Sequence, residues 1–278
     1  MKNGLSFDIE DWFQVENLRS AVPRERWEAL PLRVEANTRK ILALLRASEA
    51  KATFFFLGWV AERCPQLVKD VDREGHEIAS HGYGHELVYN MTAESFRADI
   101  RRSKQMLEDI IGKPVWGYRA PSFSIVRDSM WAIDVLKEEG FVYDSSVFPV
   151  SFHDRYGFAE CGAFPFHWPN GLLEIPLAVY KLHKFSFPVA GGGYFRLFPY
   201  VYFKFLLRRL NVKQMPFTFY LHPWELDPAQ PRVAVSPFLR FRHYVNLHRT
   251  EKNLSRLLAD FAFERIAVAY RVGERTGA

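Results

Sequence analysis

The sequence predicts an α/β fold built on a mainly parallel sheet, open or closed into a barrel. Short apolar runs alternate with amphipathic helical stretches, glycines close several of those helices, and 278 residues with 48% hydrophobic content suffice for one barrel-sized core. In either arrangement chemistry gathers at the carboxyl ends of the strands. The residues just after each strand therefore carry the functional reading.

Leu5-Ser6-Phe7-Asp8 opens the chain as a strand. Glu35 to Ser48 places Ile41, Leu42, Leu44 and Leu45 on one helical face, and Ala52 to Phe56 follows as the next strand. A helix at Pro65 to Glu74 is closed by Gly75, and a strand runs from His76 to Ser80. Thr92 to Ile111 is a helix closed by Gly112, before a strand ending near Arg119. Ser129 to Glu139 is a helix that stops at Gly140. Strands are expected at Phe141 to Tyr143, Leu172 to Ile175 and Phe217 to Leu221, and a last helix from about Thr250 to Phe261. No repeat or linker interrupts this alternation, so residues 1–278 read as a single domain.

Composition removes several classes. Lys and Arg (37) exceed Asp and Glu (32) by five, but the basic residues are scattered, which argues against a nucleic-acid partner. Aromatics make up 16% of the chain, suited to a core or to a groove for sugars. Cys64 and Cys161 form no CxxC pair and imply neither a disulfide framework nor a structural metal site. The N-terminus enters a strand without the apolar stretch of a signal peptide, so a cytoplasmic location is expected. No window reaches a transmembrane length. The nearest, Phe198 to Leu210, is broken by Lys204, Arg208 and Arg209; it reads as a packed helix, with a peripheral membrane contact as the other reading.

Three carboxylates cluster at the end of the first strand, in Asp8-Ile9-Glu10-Asp11-Trp12, where metal or proton chemistry would need them. Capping of the next helix by Asp11 is the plainer use. Ser80-His81-Gly82-Tyr83-Gly84-His85 puts two imidazoles four residues apart after the third strand, a spacing that lets both meet one ion. Arg119-Ala120-Pro121-Ser122 offers a guanidinium to orient a carboxylate. His222, in Leu221-His222-Pro223-Trp224-Glu225, stands just past a buried strand, suited to proton donation. Gly191-Gly192-Gly193 lacks the Lys-Ser/Thr of a phosphate loop and reads as a close-approach turn. His76, His153, His167, His183, His243 and His248 have no partner motif and read as packing residues. The absence of a Gly-x-Ser-x-Gly elbow lowers the case for a serine hydrolase.

Together these strings resemble the polysaccharide deacetylases with a NodB-homology domain, carbohydrate esterase family 4, over nearly the whole chain. Phe7 to Asp11 is similar to the family's first motif, His81 to His85 to its metal-binding pair, Arg119 to Ser122 to the third and Leu221-His222 to the last. Tyr143-Asp144-Ser145-Ser146 stands where the fourth is expected but departs from its Asp and Trp pattern, which leaves support of His222 by Asp144 open. The strings Asp8 to Phe13, Ala190 to Arg196 and His222 to Pro228 resemble more closely the subgroup found with exosortase and exopolysaccharide systems, with a subgroup-specific region from about 190 to 278.

The resemblance implies a distorted (β/α) barrel of about seven units, a divalent metal, usually zinc, and hydrolysis of N-acetyl groups on a polysaccharide or its lipid-linked precursor. It implies His81, His85 and either Glu10 or Asp11 as metal ligands, because Ile9 replaces the second of the family's adjacent aspartates. Strand alternation favours Glu10, and the turn after the strand favours the shorter Asp11. Asp8 is implied as base, Arg119 as its partner and His222 as acid, with substrate contacts at Pro121, Ser122, Leu221 and Trp224. Trp12 and Tyr194 are further candidates for stacking on sugar. Two rival readings keep the fold: a metal-free hydrolase of a small cyclic amide, and a glycan-binding protein without turnover.

Overall fold

The computed structural model describes residues 1–150, 157–158, 161–183 and 185–273. His153 and residues 274–278 of the expected single domain lie outside it. The strands among the described residues are β1 (Asn3–Ile9), β2 (Thr53–Phe56), β3 (Glu77–Ser80), β4 (Gly117–Tyr118), β5 (Tyr143–Asp144), β6 (Phe166–His167), β7 (Leu173–Glu174), β8 (Val179–Leu182), β9 (Phe185–Pro188), β10 (Thr218–Leu221) and β11 (Phe263–Glu264). The helices are α1 (Val34–Ala47), α2 (Gly58–Arg63), α3 (Pro65–Arg73), α4 (Ala93–Ile111), α5 (Trp131–Glu138), α6 (Gly192–Leu197), α7 (Tyr200–Val212), α8 (Pro237–Tyr244), α9 (Leu247–Asp260) and α10 (Ile266–Ala269).

Seven strands in the order β10-β1-β2-β3-β4-β5-β7 run parallel, with β6 antiparallel at one edge and β11 beside the start of β1. They are the expected barrel units, curled into a half-barrel. Between β7 and β10 the chain itself spans the gap: Ala178 N–H donates to Thr218 O, and Tyr220 N–H to Ala190 O at 2.7 Å. Gly191 bridges to Tyr220 at the same place. A Cβ on Gly191 would stand 2.0 Å from the Tyr220 carbonyl oxygen, and its φ of 118° also excludes other residues. The glycine run is thus a close-approach turn, and it launches α6 into the cleft.

Alternation along the strands sorts the side chains. Phe55, Ala79, Tyr143 and Ile175 form one buried cluster, closed from below by Ile266 of α10, while Phe54 and Phe56 belong to the larger core shared with the helices. Asp8 pairs in register with Phe55, and Ser6 with Thr53. Polar residues of β1 therefore share the half-barrel interior with Phe55, and Arg119 lies across that ring, its guanidinium carbon 4.1 Å from the centroid.

Most expected elements lie within two or three residues of their observed bounds. β5 sits slightly later than Phe141 to Tyr143, and α9 begins before Thr250. The Phe198 to Leu210 stretch forms α7, with Phe203, Leu206, Leu207 and Leu210 buried. Short elements such as α2, α6, α8 and the β8–β9 hairpin carry too few residues for a periodic signal and are set by packing. The Cys64 thiol is pushed up to about 11 by burial, consistent with an inert cysteine. No helix of the described residues is long and apolar enough to cross a membrane.

Candidate active site

The carboxyl ends of β1, β3, β4 and β10 meet at one cavity of 580 Å³, lined by Asp8, Glu10, His81, His85, His222 and Trp224 among others. Beneath it lies the buried Arg119. Its Nη1 donates to Asp8 Oδ1 at 2.6 Å and to Ser6 Oγ at 2.8 Å, Nε donates to Ser145 O, and Nη2 to Ser145 Oγ. Four donated bonds leave the guanidinium and the Asp8 carboxylate one orientation each.

Beside Asp8, one donor atom each of Glu10, His81 and His85 lies within 4.8 Å of the others, all three residues buried. His81 Nδ1 donates to the Arg119 carbonyl at 2.8 Å, which leaves Nε2 as the lone-pair nitrogen. Burial depresses the His81 pKa to about 4, so its imidazole is neutral. Burial pushes Glu10 up, but His85, His222 and His81 together bring it down to about 2. Glu10 Oε2 is 2.6 Å from His85 Nε2 yet accepts no well-formed hydrogen bond. An orphaned buried carboxylate oxygen among imidazole nitrogens is a donor set that fits a divalent cation. The His81 to His85 loop is held by Asp99 of α4, which accepts from Tyr83 N and Gly84 N.

The structure brings Glu10, and not Asp11, to the two imidazoles. Asp11 Oδ2 accepts from Arg33 N at 2.7 Å and Val34 N at 2.9 Å, and Oδ1 from Trp12 N. Its carboxylate caps the start of α1, away from the two imidazoles. Asp11 as a ligand is thereby corrected: its charge is spent on the free amides of a helix N-terminus.

His222 reaches the same cluster from β10. Its Nε2 is 3.2 Å from Glu10 Oε1 and 3.9 Å from Asp8 Oδ2. Burial lowers its pKa, but Glu10, Glu225 and Asp8 outweigh this and raise it to about 9. The group behind it is Glu225, whose Oε1 accepts from His222 Nδ1 at 2.8 Å and from His222 N at 3.1 Å. Arg196 of α6 donates to the other Glu225 oxygen at 2.7 Å and to the His243 and Val245 carbonyls. His222, Trp224 and His243 stack in sequence, with centroids 5.2 and 4.5 Å apart.

Asp144 does not support His222. It accepts from Ser146 Oγ at 2.6 Å and lies against Glu174; burial raises Asp144 to about 6 and Glu174 well above the usual carboxylate range. This is a buried pair that cannot carry two charges.

Of the expected substrate contacts, Ser122 and Trp224 line the cavity, whereas Pro121 and Leu221 are buried and do not. Ser122 and Phe123 both adopt left-handed backbone, with φ of 52° and 55°, an unusual pair at the cavity wall. Tyr194 also lines it, but Trp12 packs edge-on against Phe13 in the core. His243 is a packed core residue, as expected, yet it supports the site through Trp224.

Comparison with known proteins divides the chain at this site. Residues 27–142 match the polysaccharide deacetylase family model. Residues 145–271 match a domain of unknown function (DUF3473). The family match is shorter than the near-complete coverage the motifs implied, and His222, Glu225 and Arg196 all fall in the second match. The chain is 36% identical over 104 residues to a peptidoglycan-N-acetylglucosamine deacetylase of Bacillus cereus, covering 37% of this chain and 47% of that protein. It spans less than half the length of the curated relatives that head the comparison. In structure it resembles a Mycobacterium smegmatis protein assigned to the polysaccharide deacetylases (TM-score 0.62, 19% identity, 97% of this chain and 88% of that one). An allantoinase is similar to the same degree (TM-score 0.62, 18% identity, 98% and 90%). Both likenesses define the half-barrel fold.

Proposed function

We propose that the chain is a metal-dependent amide hydrolase that removes N-acetyl groups from a polysaccharide or from its lipid-linked precursor. The single observation that carries this reading is the convergence of Glu10, His81 and His85 on one point, with Asp8 and His222 beside it in one cavity. Glu10, His81 and His85 would hold the ion, and two imidazoles with one carboxylate are a set that suits zinc. When bound, such an ion supplies Lewis acidity for a carbonyl oxygen and eases ionisation of water.

The chain's own residues supply the rest. Asp8, fixed by Arg119, accepts a proton from the attacking water as its oxygen bonds to the acetyl carbon. His222 gives its Nε2 proton to the sugar nitrogen as the carbon–nitrogen bond breaks, releasing acetate and a free amine. Ser122, on the cavity wall, offers its backbone N–H to the oxygen that gains charge. Tyr194 provides ring surface for a sugar, whereas Trp224, stacked on His222 and His243, helps to position the proposed acid.

The strings Ala190 to Arg196 and His222 to Pro228 support a role in exopolysaccharide synthesis. The experiment is acetate release from a panel of N-acetylated glycans by wild type and His81→Ala, with and without chelator. Release abolished by either treatment is expected; release that survives both rejects the metal-dependent reaction. A cyclic amide such as allantoin, run alongside, tests the reaction class of the structurally similar allantoinase.

A further inference from the structure

The rim of the cavity carries apolar side chains that the proposed reaction does not use. Leu197 at the end of α6 and Phe238 and Phe241 on α8 line the mouth, and they are 45%, 67% and 56% exposed. Phe198, next to Leu197, is exposed as well. Helix α8 is anchored at its carboxyl end, where His243 and Tyr244 are buried, while Phe238, Arg240 and Phe241 nearer its start face solvent. Large apolar side chains grouped around one opening mark a contact surface more than scattered exposure does.

Charge on the same part of the chain is one-sided. Residues 190–260 contain 11 Lys and Arg against 4 Asp and Glu, so the rest of the chain is net negative. Three of those four acids are engaged within the fold: Glu225 with Arg196 and His222, Asp227 with Arg33, and Asp260 with Lys204 and Arg208. Glu16, in a short turn that packs against α8 and also lines the cavity, is paired with Arg19. A rim of Phe and Leu interleaved with Arg complements an anionic bilayer, with rings among the acyl chains and guanidinium groups at the phosphates.

We propose that this rim docks on a bilayer containing anionic phospholipid and turns the cavity mouth toward the headgroups. The proposal goes beyond the reaction and stands on the surface alone. Each basic residue held near an anionic bilayer strengthens binding roughly fivefold, and the effect fades as salt screens it.

Co-sedimentation with vesicles of phosphatidylglycerol and phosphatidylcholine, against phosphatidylcholine alone, tests it. Wild type is expected to sediment with the anionic vesicles at low salt and to be released at high salt. A Phe238→Ser, Phe241→Ser double variant and an Arg240→Glu variant should each bind at least about tenfold more weakly, with melting temperatures like wild type to show that they fold. His81→Ala, which blocks the proposed reaction, should sediment like wild type, so that docking and chemistry fail separately; loss of its binding would overturn the assignment to this rim. Equal binding to neutral vesicles, or no binding at low salt, would also overturn it. So would a dimer in solution that the double variant converts to monomer without any vesicle binding, since a second copy would then cover the rim.

Discussion

His222 and Glu225 are joined twice, Glu225 Oε1 accepting from both the backbone N–H and the ring Nδ1 of His222. Only Pro223 and Trp224 separate the histidine from its support, so the imidazole is oriented by its own turn. Glu225 is itself fixed by Arg196, which lies 29 positions upstream. Glu225 is thus a positioning residue for the proposed acid.

Glu225→Gln should lower turnover by about 10-fold to 1000-fold, within the range of a general acid's contribution. Glu225 raises the His222 pKa, so its removal moves the basic limb of the pH–rate profile to lower pH. Glu225→Asp should recover part of the shift. The measurement is kcat/KM for acetate release from pH 5 to 10, and a profile unchanged in shape would count against the assignment.

Glu10 and Asp11 should separate cleanly. Glu10→Ala is expected to lose bound metal by elemental analysis, whereas Asp11→Ala retains it and loses about 1 to 2 kcal/mol of stability through the uncapped α1. Metal retained by Glu10→Ala but lost by Asp11→Ala would reverse the reading.

Asp8→Asn removes the proposed base and leaves Arg119 buried without its anion. A loss of at least 100-fold in acetate release is expected, along with about 3 to 5 kcal/mol of stability in urea denaturation, as for other broken buried pairs. Activity that persists at wild-type level would remove Asp8 from the reaction.

Away from the site, His76 accepts from Ala52 N, and burial, then the Lys51 and Arg265 charges, depress its pKa to about 4. The unfolded chain binds this proton near pH 6.5, so the folded state favours neutral His76. Its contribution is full above pH 6.5 and is lost as pH falls through about 4, roughly 3 kcal/mol in all. Melting temperatures of wild type and His76→Gln across this window should converge at low pH; parallel curves would exclude His76 as a source of acid sensitivity.

The sequence made the strand ends legible, and with them Asp8, Glu10, His81, His85, Arg119 and His222, because a parallel sheet brings those ends together wherever they fall in the chain. It could not separate Glu10 from Asp11, since that depends on whether the turn after β1 meets the start of α1. Glu225 had a local signal, a carboxylate three positions after a histidine across a proline turn, but the resemblance pointed to Asp144 in its place. Arg196 and His243 had none; they reach the site through the packing of α6 and α8. The α8 rim was equally hidden, because eight residues carry no reliable period.

The seam between the two family matches runs through the working cleft. A fragment stopped at residue 142 would keep Asp8, Glu10, His81 and His85 in its sequence, yet would lack His222, the group that protonates the departing amine in the proposed reaction. Residues 145–271 would then supply one side of the proposed chemistry, and recombining them with the first half of a known deacetylase would change how the leaving group is handled while the attacking side stayed the same.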